Sequence, residues 1–219
     1  MIVDVFSTLD ASHPAHGPGD ARYLVAPPAG ERSTFPSRAA PLPRVLGGLF
    51  PVSGVPDEGD LDPWWKGLLL RPHEGLRLNS PGLLAALRSG ARAQLPLVIE
   101  CGREEFSRPD HLQKFLENGP QRPIVLTHGA QLNICGADLA PARDLFVSFP
   151  HTFLETSGIY RQDFLEDMFR TLGPRRIFYG SGHPYMAESL EIERVNLLPA
   201  TESEKAQMLG RGAAEIFGL

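Results

Sequence analysis

Six residues of this sequence stand out among those able to hold a metal, move a proton or grip an anion. Each stands at or just after an apolar run. Arg71 and His73 follow KGLLL, Glu100 closes PLVIE, and His128 follows PIVLT. Glu155 sits in TFLET, and His183 follows RIFYGSG. If these runs are parallel strands of a barrel, their C-terminal ends share one mouth, where chemistry is done. Imidazoles and carboxylates converging there suit a metal centre or general acid/base work. Glu100 ends an apolar run, and an unpaired buried charge costs several kcal/mol. It needs a partner, and Arg71 and Arg103 are in reach. Arg71 is therefore either the anchor of an anionic ligand or the counter-ion of Glu100, and pairing is the simpler role.

The other candidates read more plainly. His13 and His16 lie in a proline-rich loop, and His111 falls on a helix surface. His151 precedes a strand, at the end of a barrel where residues serve stability. Cys101 and Cys135 read as small buried apolar residues, and Trp64-Trp65 as packing. There is no P-loop, no dinucleotide fingerprint and no G-x-S-x-G elbow.

The elements that must position these residues are short. Strand runs are Ile2–Phe6, Arg22–Ala26, Arg44–Phe50, Gly67–Leu70, Pro96–Cys101, Pro123–Thr127, Thr152–Thr156 and Arg176–Tyr179. Most are continuously apolar, as in a parallel sheet covered on both faces. Helical periods separate the later ones. Leu83, Leu84, Leu87 and Ala91 share a face after Ser80-Pro81. Leu112, Phe115 and Leu116 repeat before Asn118-Gly119. Tyr160, Phe164, Leu165, Met168, Phe169 and Leu172 form a stripe closed by Gly173-Pro174. Thr201 and Glu204 read as a capping box opening the last helix. The alternation predicts an α/β fold, a small and irregular (β/α)8 TIM-type barrel forming one domain over 1–219. An open doubly wound sheet is the competing arrangement. Segments 7–21, 27–43 and 51–65 are rich in Gly, Pro, Asp and Ser, so loops replace helices in the N-terminal third. A thinly covered barrel wall there favours a homo- or hetero-oligomer.

The chain has 219 residues, 42% of them hydrophobic, with a formal charge of −5 and a pI near 5.8. This balance argues against nucleic-acid binding. No apolar run reaches the ~20 residues of a membrane span. MIVDVF does not read as a secretory signal, and two cysteines make no disulfide scaffold, so the expectation is a cytoplasmic protein with reduced thiols.

From residue 64 onward the sequence resembles the amidohydrolase-related metal-dependent hydrolases of the amidohydrolase 2 type. The matching stretches are KGLLLRPHE, LPLVIECG, IVLTHGA, SFPHTFLETSG, LGPRRIFYGSGHP and the tail EKAQMLGRGAAEIFGL. Agreement over MIVDV and RVLGGLF is weaker. The resemblance implies a (β/α)8 fold and hydrolysis or decarboxylation of small cyclic and carboxylic substrates. It also marks where this chain departs from the family's metal site. The first strand of the family ends Asp-x-His-x-His; here Asp4 is kept, but Phe6 and Thr8 stand at the histidines. Glu100 replaces the fifth-strand histidine and His128 keeps the sixth. The eighth-strand G-S-D-x-P becomes GSGHP, with Gly182 at the aspartate.

Catalytic zinc sites usually have three protein ligands. Three functions follow. The first is a barrel with its metal centre largely lost, serving in binding or assembly. The second is a remodelled hydrolase or decarboxylase, in which Glu100, His128 and His183 hold one zinc or manganese ion, Arg71 binds a small-molecule substrate, and Glu155 or His73 is the base. The third is metal-free acid/base chemistry at a buried Glu100 and His128.

Overall fold

Runs of Leu, Val and Ile become strands whose alternate residues enter two different layers. The computed structural model describes residues 1–8, 21–26, 45–52, 63–88, 94–132 and 138–219. His13, His16 and Cys135 lie outside the described residues. The strands are β1 (Ile2–Thr8), β2 (Ala21–Ala26), β3 (Val45–Val52), β4 (Trp65–Leu70), β5 (Leu97–Ile99), β6 (Ile124–Leu126), β7 (Thr152–Glu155) and β8 (Ile177–Phe178). They pair in sequence order, and every pairing is parallel. The two edges meet as well: Val5 N donates to Tyr179 O at 3.2 Å, and Gly182 N to Phe6 O at 3.0 Å. This is the (β/α)8 arrangement that the alternation predicts. Each expected strand is present, most of them a residue or two longer or shorter.

The helices are α1 (Pro81–Arg88), α2 (Pro109–Asn118), α3 (Leu139–Ser148), α4 (Gln162–Leu172), α5 (Glu188–Asn196), α6 (Glu202–Ala206) and α7 (Gly212–Phe217). Leu68, Leu70, Leu97, Ile99, Ile124 and Leu126 pack outward against Leu83, Leu112, Phe115, Phe146, Leu165 and Met168 of the helices. Their neighbours Leu69, Val98 and Val125 turn the other way, joining Val3, Val5, Leu49 and Phe178 around Ala213 and Phe217 of α7. Ala213 and Phe217 of the short final helix thus join the strand side chains of this inner cluster. The Thr201–Glu204 capping box is present in both directions, but the expected single last helix is α6 followed by a π turn at Gln207–Arg211 and then α7.

Two expectations are corrected. Tyr160 does not belong to the α4 stripe; it precedes the helix and is exposed. Helices α3 and α5 were not expected at all. Their sequences, LAPARDLFVS and ESLEIERVN, give only weak apolar stripes. Among the described residues no helix is long and apolar enough to cross a membrane.

Candidate functional site

Two turns build the centre of the mouth. After β6, His128, Gly129 and Ala130 take φ of 56°, 59° and 57° in succession. Residues with a Cβ seldom adopt this left-handed backbone, at a cost of about 1–3 kcal/mol each, and such strain gathers at functional sites. After β7 the chain turns through Thr156–Ile159, where Ile159 N donates to Thr156 O and Gly158 has φ 63°.

Glu155 joins the two turns. It is fully buried, and its carboxylate accepts from His128 N at 3.0 Å, Ser157 N at 2.6 Å and Ser157 Oγ at 2.9 Å. Gly180 makes room for it, since a Cβ there would stand 1.9 Å from Glu155 Oε1. Because the Ser157 hydroxyl gives its proton to Glu155, His128 Nδ1 must be the donor toward Ser157 O at 2.9 Å and Ser157 Oγ at 3.0 Å. The neutral imidazole is then the Nδ1–H form, with its lone pair on Nε2. Ser157 is buried while the His128 ring is partly exposed, so the Nδ1 edge faces inward.

Burial sets the electrostatics here. It pushes the Glu155 carboxyl up to about 7, against the pull of its three donors. Burial also lowers the His128 pKa, opposed by the Ser157 carbonyl and by the Glu100 and Glu191 carboxylates. Asp4 is a second fully buried acid. It accepts from Phe6 N and Ser181 N, both at 3.0 Å, and from Ser181 Oγ at 2.5 Å. Burial pushes it too to about 7, with Glu155 adding to the rise.

Around this centre the six expected residues fall into different places. Glu100 takes Arg71 Nε at 2.6 Å and Arg103 at 3.8 Å, so both expected counter-ions are in place. Asp4, Glu155 and Glu191 are deeply buried acids; Glu100 lies nearer the surface. Glu155 has its carboxylate enclosed, with His128 N and the Ser157 turn bonded to it. His73 is exposed on the loop after β4, with Nδ1 accepting from Gly75 N at 3.1 Å, and does not join the cluster. His183 is partly exposed, and its N donates to Ser181 Oγ at 3.0 Å. Ser157, Ser181 and Glu191 escape sequence reasoning. Serines after strands are common, and α5 carries no pattern that marks Glu191.

The residues do not fit a divalent ion of the family's kind. Phe6 stands edge-on to the His128 ring, centroids 5.7 Å apart. Gly182 has φ 62°, and a Cβ there would meet Ser157 Cβ at 3.1 Å and Met186 Cγ at 3.2 Å, so the space for a ligating side chain is filled. Glu100 already carries a guanidinium. Among the described residues no three His, Cys, Asp or Glu are gathered to hold a metal.

A parallel eight-stranded sheet with polar residues at its C-terminal ends is a (β/α)8 barrel. The amidohydrolase (Amidohydro_2) family profile matches residues 61–219, and the chain belongs to that family. No curated protein matches the sequence. Among the solved structures that share the fold are the following three. One, named a "probable 2-pyrone-4,6-dicarboxylic acid hydrolase", from Acinetobacter baumannii with citric acid bound, has a TM-score of 0.71 at 14% identity, covering 100% of this chain and 99% of its own. The 5-carboxyvanillate decarboxylase of Sphingomonas paucimobilis has a TM-score of 0.64 at 16% identity, covering 90% and 79%. A dihydroxybenzoic acid decarboxylase of a Polaromonas species, with bound manganese and the inhibitor 2-nitroresorcinol, has a TM-score of 0.58 at 14% identity, covering 81% and 70%.

Proposed function

We propose that this chain is a hydrolase or decarboxylase of a small carboxylic substrate, working by acid/base chemistry at His128 without a divalent metal. One observation carries the reading: His128 is locked by Ser157 and Glu155 with its Nδ1 edge inward, at the catalytic end of the barrel. Its lowered pKa keeps the imidazole neutral near pH 7, in the form that accepts a proton at Nε2. In hydrolysis His128 takes the proton of an attacking water and returns it to the leaving group. In decarboxylation the imidazolium delivers a proton to the carbon that loses its carboxylate. Glu155 remains enclosed and holds the ring. Arg71 and Arg103, both facing Glu100, offer guanidinium charge to a substrate carboxylate.

The fold relatives support a substrate of this class, since their names carry pyrone dicarboxylate, carboxyvanillate and dihydroxybenzoate. A purely structural subunit has no use for strained backbone at His128 and two buried acids behind it. The same reading has the chain act as an oligomer in a reducing cytoplasm, on the strength of its Gly- and Pro-rich segments at 7–21, 27–43 and 51–65 and its two cysteines.

The test is turnover of 2-pyrone-4,6-dicarboxylate, 5-carboxyvanillate and 2,6-dihydroxybenzoate, in EDTA and after manganese loading. Turnover of one of them, unchanged by EDTA and about 100-fold lower in His128→Ala, is expected. Turnover that appears only with manganese, or survives His128→Ala, overturns the reading. Turnover of none returns the chain to a binding role.

A further inference from the structure

Glu191 is a buried charge with no part in the chemistry just described. It lies on α5 and is 1% exposed, while its neighbour Leu190 is 52% exposed. A carboxylate buried on an outer helix costs several kcal/mol unless it is well partnered. Arg194 Nε donates to Oε1 at 3.3 Å, and Gly158 N donates to Oε2 at 3.3 Å. Arg194 stands one turn along the same helix, a pairing that needs no burial. Only Gly158 requires the carboxylate to point inward.

Gly158 belongs to the turn that carries Ser157, whose carbonyl and hydroxyl hold His128 Nδ1. A Cβ on Gly158 would lie 3.5 Å from His128 Nδ1 and 3.0 Å from Met186 Cε. The turn is therefore gripped twice. Glu155 holds Ser157 N from the strand side, and Glu191 holds Gly158 N from α5. Among the described residues three carboxylates act on His128: Glu100 from the end of β5, Glu155 from β7 and Glu191 from α5. Only Glu155 and Glu191 also bond the turn.

We propose that Glu191 is a positioning residue for His128, acting through Gly158 and Ser157 to keep the imidazole protonated at Nδ1 and bare at Nε2. The inference rests on the reading of His128 as the proton-moving group, but its test needs no substrate. Nitrogen-15 spectra of the histidine rings report which nitrogen carries the proton. The unaltered chain is expected to show one ring form for His128. Glu191→Met leaves Gly158 N without its acceptor, and a mixture of both ring forms replaces the single one. Glu191→Gln restores the single form, because an amide oxygen still accepts from Gly158. Should Glu191→Met fail to fold, Glu191→Asp decides. It keeps the charge and Arg194 but is one methylene short of Gly158, and it is expected to show the mixture. A single ring form in the folded Met and Asp variants overturns the proposal. Loss of the catalytic reading, with turnover surviving His128→Ala, leaves the ring-form result standing on its own.

Discussion

Asp4 and Glu155 give the molecule a pH dependence of definite sign. Each titrates at about 7 in the folded chain, against about 4 for an ordinary carboxyl. The folded state keeps these protons to higher pH than the unfolded state does. Their stabilising effect is thus complete below about pH 4 and is lost as pH rises to about 7. Asp4→Asn removes one share of this loss. Its amide oxygen can still accept from Phe6 N and Ser181 N, and the Ser181 hydroxyl can turn to accept from the new amide. Urea midpoints at pH 5 and pH 7.5 should show the variant losing roughly 2 kcal/mol less than the unaltered chain over that interval. His128 and Glu155 were legible because each closes an apolar run, and Glu100 was legible as needing Arg71 or Arg103. Ser157, Ser181 and Glu191 were not, because a hydrogen bond between residues far apart in sequence leaves no local pattern. His73 also follows a strand, but its loop places it on the surface, apart from the His128 cluster.

The strands were legible almost residue by residue, since continuous apolar runs bounded by Pro and Gly leave little else for β4 to β8 to be. Helices were legible only where a wide apolar stripe or a cap marked them. In α4, Phe164, Leu165 and Met168 are all buried. In α5 only Glu191 and Val195 are, so its pattern reads as surface. The capping box at Thr201 carries a prediction of its own. Thr201 Oγ1 accepts from Glu204 N, and Glu204 Oε2 accepts from Thr201 N at 2.8 Å. Thr201→Ala should cost about 1 kcal/mol in urea unfolding, the usual value of such a cap. The N-terminal strands rely on another device. Trp64 lies so close over Gly48 that a Cβ there would stand 1.9 Å from its ring, and its indole meets Trp65 edge to face. An aromatic plate thus covers backbone at β3.

Both ends of the chain are needed to complete the barrel. Gly210 packs so tightly on β1 that a Cβ would lie 2.5 Å from Met1 O. Tyr179 N donates to Met208 O at 2.9 Å, and Phe217 enters the interior cluster with Val3, Val5 and Leu69. Deleting residues 207–219 should leave that cluster open on one side. Thermal unfolding of the shortened chain is expected to lose its cooperative transition, and a sharp transition at the original temperature would refute this. The order of synthesis adds a further consequence. Asp4 is the side chain that ties β1 to the turn after β8, and its partner Ser181 lies 177 positions downstream. During translation the edge of β1 that meets the turn after β8 stays unpaired until Ser181 has been made. An exposed parallel edge is a template for the wrong neighbour. The yield of folded chain is expected to fall when synthesis is fast and to recover when a chaperone that holds unpaired strands is co-expressed.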